Sequence, residues 1–123
     1  MSDIELAVEK SRKLEQALEA GFGARGRGLH EKITSVEGKL PRNLVKQLRW
    51  VATIRNHVVH EGTKIADPTT FAQSADRAYS AIQEIVAARR VNASKKPNRS
   101  GWIVTLLIAV LLAALIGLYV QSH

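Results

Sequence analysis

The chain has 123 residues, a formal net charge of +7 and no cysteine. The lack of cysteine excludes disulfide bonds, zinc sites built from thiolates and catalysis by a cysteine nucleophile. The charge is unevenly distributed, because five basic residues follow residue 88 and the thirteen before it nearly balance the eleven acidic residues. This near balance argues against a strongly basic nucleic-acid-binding surface in the first 88 residues.

The first predicted helix begins at a capping box formed by Ser2 and Glu5 and ends near Gly21. Its core-facing positions recur at helical spacing: Ile4, Val8, Ser11, Leu14 and Leu18. The glycine-rich stretch 21–26 then matches the pattern GxGxxG. Because a helix precedes it, where a dinucleotide site needs a strand, we predict an interhelical loop with Phe22 in the core.

Three more helices are predicted before residue 91. A short one runs from Leu29 to about Gly38, a third has Pro41 as its first residue, and Asp67 caps the fourth. The third ends at Gly62, and its expected buried positions are Leu44, Val45, Leu48, Val51, Ala52, Val58 and Val59. Trp50 does not lie on the face formed by these buried positions, and it is expected at a helix–helix or subunit contact.

A long apolar segment follows over residues 101–120, which contain no charge, with Trp102 and Tyr119 near its two ends. At about 1.5 Å per residue this segment covers roughly 30 Å, the thickness of a bilayer's hydrocarbon core. We predict a transmembrane helix here, preceded by a basic flexible linker over 91–100 and followed by a short tail over 121–123. No segment alternates with strand period, so the predicted fold class is all-α: a four-helix bundle over residues 1–90 followed by one C-terminal transmembrane helix.

The basic residues before the apolar segment predict its orientation. No Lys or Arg follows the segment, so the positive-inside rule predicts a single-pass, tail-anchored protein of the bacterial inner membrane with its N-terminal domain in the cytoplasm. The residues expected to set topology and contact anionic lipid are Arg89, Arg90, Lys95, Lys96 and Arg99. Ala109, Ala113 and Gly117 recur every four residues, which favours close pairing of two such helices, although alanine is common in apolar helices.

The strongest candidate for chemistry is the end of the third helix. At about 100° per residue, Asn56 and His60 lie about 100° and 140° from Arg55, whereas His57 lies about 200° away and cannot join them. Arginine binds phosphate oxygens through its planar fork, and histidine transfers protons near neutral pH. We therefore predict Arg55, Asn56 and His60 as catalytic residues for a phosphodiester. Since His57, His60 and Glu61 do not form a known zinc-helix pattern, no metal or cofactor is predicted.

The segment Arg55-Asn56-x-x-x-His60 resembles the Arg-x(4–6)-His motif of the HEPN superfamily. Its surroundings over residues 1–90 are similar to small bacterial HEPN-type proteins: the arginine–glycine run 24–29 before a short helix, then Leu40-Pro41, then residues 48–54 leading into the motif. The resemblance implies a helical bundle that pairs through the motif-bearing helices. Active members are metal-independent endoribonucleases with a composite dimer site. By this resemblance His60 is the general acid/base and Arg55 holds the phosphate. Asn56 orients the side chain of His60 or of Arg55.

Two functions stay open from the sequence. The first is a membrane-anchored endoribonuclease of a toxin or defence system, with a second copy, RNA, the lipid bilayer and a cognate regulator or antitoxin as expected partners. The second is a non-catalytic, membrane-tethered binding or assembly module in which Arg55 and His60 are structural and pair with acidic side chains. Exposure discriminates between them, because catalysis requires both side chains to be open to a shared cleft.

Overall fold

The computed structural model describes the backbone of residues 1–95 and 99–121 and the side chains of residues 1–93 and 106–121. Its elements, in chain order, are α1 (Asp3–Phe22), α2 (Leu29–Val36), a single 3₁₀ turn (Glu37–Lys39), α3 (Arg42–Glu61), α4 (Pro68–Lys95) and α5 (Arg99–Gln121). No strand occurs in these described ranges, which confirms the all-helical class. The chain divides into two compact units, Met1–Arg89 and Arg90–His123.

Local sequence signals account for most helix ends in the first unit. Ser2 Oγ accepts a hydrogen bond from the Glu5 backbone N–H at 3.2 Å, which confirms the predicted start of α1. α1 ends at Phe22, because Gly23 takes the left-handed conformation, with φ of 69°. Gly62 ends α3 in the same way, with φ of 68°. Pro41 is the N-cap of α3, with an extended ψ of 144°, and therefore lies one residue before its predicted place as the first helical residue.

The core of the first unit is a single apolar cluster drawn from all four of its helices. Its largest fully buried side chains are Phe71, Leu14, Leu18, Ile33, Leu48, Ile82, Val51 and Val58. The core-facing positions predicted for α1 are wrong at the beginning of the helix, where Ala7 is buried and Ile4 is 52% exposed. On α3, Val45 and Val59 are only partly buried, since they lie at the edge of the packed face.

The glycine-rich segment between α1 and α2 is an interhelical loop, and Phe22 beside it is buried, as predicted. The buried side chain of Lys32 fixes this loop, because its Nζ donates to the Gly26 carbonyl oxygen at 2.9 Å and forms an ion pair with Glu19 at 3.2 Å. Gly26 has φ of 145°, a conformation that residues with a Cβ rarely adopt. The loop conformation therefore depends on this glycine.

The prediction of a membrane-spanning helix needs correction. Within the described residues, no helix combines the length and the apolarity that crossing a membrane requires. This finding contradicts the transmembrane helix over 101–120 in the predicted fold class. It equally contradicts the predicted tail-anchored, single-pass membrane localisation with a cytoplasmic domain.

The segment predicted as a linker is partly helical. Residues 91–95 form the end of α4, and Arg99 begins α5. Lys96 and residues 97–98 lie outside the described residues, as do the side chains of Lys95, Arg99 and Trp102 and the tail residues after Gln121. Arg90 is exposed, and the Arg89 guanidinium lies 5.1 Å from the centroid of the Phe22 ring, where it covers an edge of the core.

On α5, the small residues Ala109, Ala113 and Gly117 are exposed, and Tyr119 is 68% exposed. A Cβ added at Gly117 would meet no other atom within 4 Å. Close pairing of this face with a second copy stays a prediction.

Candidate functional site

The predicted catalytic residues all lie in the last two turns of α3. The buried side chains of Val51, Ala52 and Val58 fix the rotation of this helix against the core. As a result Arg55 and Asn56 are partly buried at the edge of the packed face, and His60 is exposed. The helix therefore presents all three groups at least partly to solvent, with Asn56 and His60 about 40° apart around its axis.

Arg55 has an unusual environment for a partly buried cation. Its Nη1 donates a hydrogen bond to Asn56 Oδ1 at 3.1 Å. No carboxylate forms an ion pair with Arg55 in the part of the chain that the structure describes. A guanidinium carries five N–H donors, so most of its hydrogen-bonding capacity is unused. Arg55 is thus available for an anion that does not come from its own chain.

His60 is also available for a reaction or a ligand. It lies in the last turn of α3, before the left-handed Gly62. Among the described residues its side chain makes no hydrogen bond and no ion pair. His57, by contrast, lies on another side of the helix and places Nδ1 2.9 Å from Glu61 Oε2. The structure thus brings Arg55 and Asn56 into contact and separates His57 from them.

His57, His60 and Glu61 are the residues of α3 whose types could bind a metal. In the described ranges, no group of three or more histidine and acidic side chains is close enough to hold a metal ion. The contact between His57 and Glu61 is an exposed i,i+4 pair, and such pairs contribute only about 0.3–0.5 kcal/mol to helix stability.

A second guanidinium–imidazole pair, which the sequence analysis missed, joins α2 to α3. Arg49 Nη1 lies 3.5 Å from His30 Nδ1, and Arg49 Nη2 donates to Thr34 at 3.1 Å and to Glu37 Oε2 at 2.9 Å. Glu37 thus neutralises Arg49, whereas no carboxylate of the described residues neutralises Arg55. The signal that could have found this cluster is helical spacing, since Arg49 lies within about 20° of Asn56 and of His60 around α3.

The hydrogen bonds around His30 define its tautomer. The Thr53 hydroxyl donates to the Arg49 carbonyl oxygen at 2.8 Å, so the Thr53 oxygen accepts from His30 Nε2–H at 3.4 Å. Nδ1 then accepts from Arg49. This arrangement requires the neutral imidazole, and burial, followed by the charge of Arg49, lowers the pKa of His30 below its ordinary value of 6.5.

This lowered pKa predicts how acid affects stability. The unfolded chain binds a proton at His30 more readily than the folded chain. The stabilising contribution of neutral His30 to the free energy of unfolding is therefore complete above about pH 6.5, and it is lost as the pH falls through the lower pKa of the folded state. We expect the stability advantage of the natural chain over His30→Gln to shrink between about pH 7.5 and about pH 5.5. Urea unfolding of both proteins at each pH measures this difference in the free energy of unfolding. A difference that stays constant with pH would contradict the prediction.

Comparison with models of known protein families, with curated proteins and with solved structures finds no match to this chain. The function must therefore be argued from the site itself.

Proposed function

We propose that this chain is a metal-independent endoribonuclease whose active site is completed by a second copy, with Arg55, Asn56 and His60 supplied by each. The observation that carries the proposal is the partly buried Arg55, which, among the described residues, bonds a neutral amide and no carboxylate. A charge partly removed from water gains most from a counter-charge, and the guanidinium fork matches the geometry of phosphate oxygens. The resemblance to the HEPN motif points to the same residues.

Two copies supply the two imidazoles that the reaction needs. His60 of one subunit accepts the proton of the ribose 2′-hydroxyl while that oxygen forms a bond to phosphorus. The bond between phosphorus and the 5′-oxygen breaks, and the partner subunit's protonated His60 gives its proton to the leaving oxygen. Arg55 stabilises the charge on the non-bridging phosphate oxygens. The products are a 2′,3′-cyclic phosphate and a 5′-hydroxyl, and no redox partner is consumed.

The second candidate is a binding or assembly module without catalysis, in which a second copy or a cognate regulator is the partner. The observation that favours it is the hydrogen bond from Arg55 to Asn56, because this bond holds the guanidinium in one orientation, as a structural residue requires. Under this candidate the two side chains bind a partner's acidic group, and RNA is not cut.

One experiment separates the two candidates. The full chain is incubated with 5′-labelled RNA in excess EDTA, and the fragment ends are analysed. We expect fragments that carry 2′,3′-cyclic phosphate. RNA that stays intact, with self-association detected by analytical ultracentrifugation and lost in Arg55→Ala, favours the second candidate. Intact RNA together with a monomeric chain overturns the nuclease, and it overturns the form of the second candidate in which a second copy is the partner.

A further inference from the structure

A cavity adjoins α3, and Arg55, Asn56 and His60 are not among the residues that line it. It is bounded by the last three turns of α3 and by the loop that leads to α4, and its volume is about 300 Å³. Its walls are mainly apolar and include Trp50, Ile54, Val58 and Ile65. This volume is at the lower end of the range for small-molecule sites, about 300–1,000 Å³.

The loop that closes this cavity is fixed at three points. Thr63 Oγ1 donates to the His57 carbonyl oxygen at 2.7 Å, and the Ile65 backbone N–H donates to Asp3 Oδ2 at 2.9 Å. At the end of the loop, the Asp67 carboxylate accepts two hydrogen bonds from Thr70. Because both ends and the middle are held, the cavity is formed before any ligand arrives, which lowers the entropic cost of binding.

Trp50 supplies an open aromatic surface in this cavity. The side chain is 42% exposed, and its ring centroid lies 6.2 Å from that of Phe71, with the ring planes tilted by 45°. The contact with Phe71 therefore covers only part of the indole ring. An apolar ligand in the cavity would shield the remaining part of the Trp50 indole ring from water.

The rim of the cavity carries one charge of each sign, Lys64 and Asp67. Lys64 lines it and, within the described residues, forms no ion pair and no hydrogen bond. The Asp67 carboxylate is occupied by Thr70, and hydrogen bonds from Thr70 hold its pKa below the ordinary value. The His57 ring uses Nδ1 for Glu61, which leaves Nε2 free. Asp67 stays ionised, and Nε2 of a neutral His57 ring is an acceptor when Nδ1–H donates to Glu61. Lys64 is therefore the group at the rim that can bind a carboxylate.

We propose that this cavity binds a small molecule with an apolar body and a single carboxylate, the body against Trp50 and Ile65 and the carboxylate on Lys64. The site is separate from the proposed nuclease site, because Arg55, Asn56 and His60 do not line the cavity. Its existence does not depend on RNA cleavage.

Octanoate is the probe that tests this site. Trp50 becomes the only tryptophan in a Trp102→Phe background, so its fluorescence reports binding directly. We expect a saturable change in this fluorescence on titration with octanoate. Lys64→Gln in the same background should weaken octanoate binding by about two- to fivefold, the effect of losing one exposed ion pair.

Two controls identify the carboxylate as the recognised group. Lys46→Gln removes an exposed lysine from α3 that does not line the cavity, and it should leave octanoate affinity unchanged. Octan-1-ol should bind the background protein and the Lys64→Gln variant equally. The proposal is overturned if octanoate produces no saturable change. It is equally overturned if Lys64→Gln weakens octanoate no more than Lys46→Gln does.

Discussion

His60→Ala is expected to lower the rate of RNA cleavage by about 10²- to 10⁴-fold, because one imidazole on each subunit is proposed to transfer a proton at each reacting oxygen. The fold should be retained, since His60 is exposed and bonds to no other described residue. The measurement is the initial rate of cyclic-phosphate formation on labelled RNA, together with helix content by circular dichroism.

The matched control for this experiment is His57→Ala. His57 lies on the same helix and is also exposed, but it points away from Arg55 and bonds Glu61. Its replacement should leave the cleavage rate within about twofold of the natural chain, because losing an exposed i,i+4 pair costs little stability. Arg55→Ala should reduce cleavage as strongly as His60→Ala. Equal activity of the natural chain and the His60→Ala variant would refute the proposed role of His60.

Gly26→Ala is expected to lower the free energy of unfolding by about 2–4 kcal/mol, through backbone strain and overpacking together. An alanine Cβ at this position would lie 2.4 Å from Glu31 Cβ and 3.0 Å from the Glu31 carbonyl carbon. Backbone atoms at the start of α2 cannot move aside cheaply, and the φ of 145° is itself unfavourable for alanine. Urea unfolding followed by circular dichroism measures the change.

Gly28→Ala is the control, because Gly28 lies two residues further along the same loop. A Cβ there would meet no other atom within 4 Å, and its φ of −151° is ordinary extended backbone. We expect a smaller loss than for Gly26→Ala, about 0.5–1 kcal/mol, because Gly28 is the N-cap of α2 and alanine is a poorer N-cap than glycine. If the two variants lose equal stability, the loop does not depend on Gly26 in the way described.

Arg49 and Arg55 illustrate what distinguishes a structural from a functional candidate on one helix. Arg49 binds Glu37, Thr34 and His30 and so connects α2 to α3. Arg55 lies six residues later, and its side-chain partner in the described part of the chain is an amide. The residue type and the helix are the same, so the difference comes from what the neighbouring elements place beside each guanidinium. This contrast supports Arg55 as the binding group.

Much of the helical arrangement could be predicted because its signals are local. Capping by Ser2 and Asp67 depends on hydrogen bonds that span three residues, and Gly62 ends a helix because glycine accepts positive φ. The buried face of α3 followed from helical spacing. The exposure of Ile4 at the beginning of α1 could not be predicted in this way. Burial there depends on where the neighbouring elements end, and Ile4 lies beyond the region that they cover.

The sequence by itself determined the order of the helices, most of their ends and the place of Arg55, Asn56 and His60 on one helix, since each depends on contacts within a few residues. Only the tertiary structure decided which charges are neutralised. The contacts of Arg49 with His30 and Glu37 cross between elements, and so does the bond from Asp3 that fixes the loop at Ile65. Such contacts join residues far apart in the chain, and no local pattern specifies them.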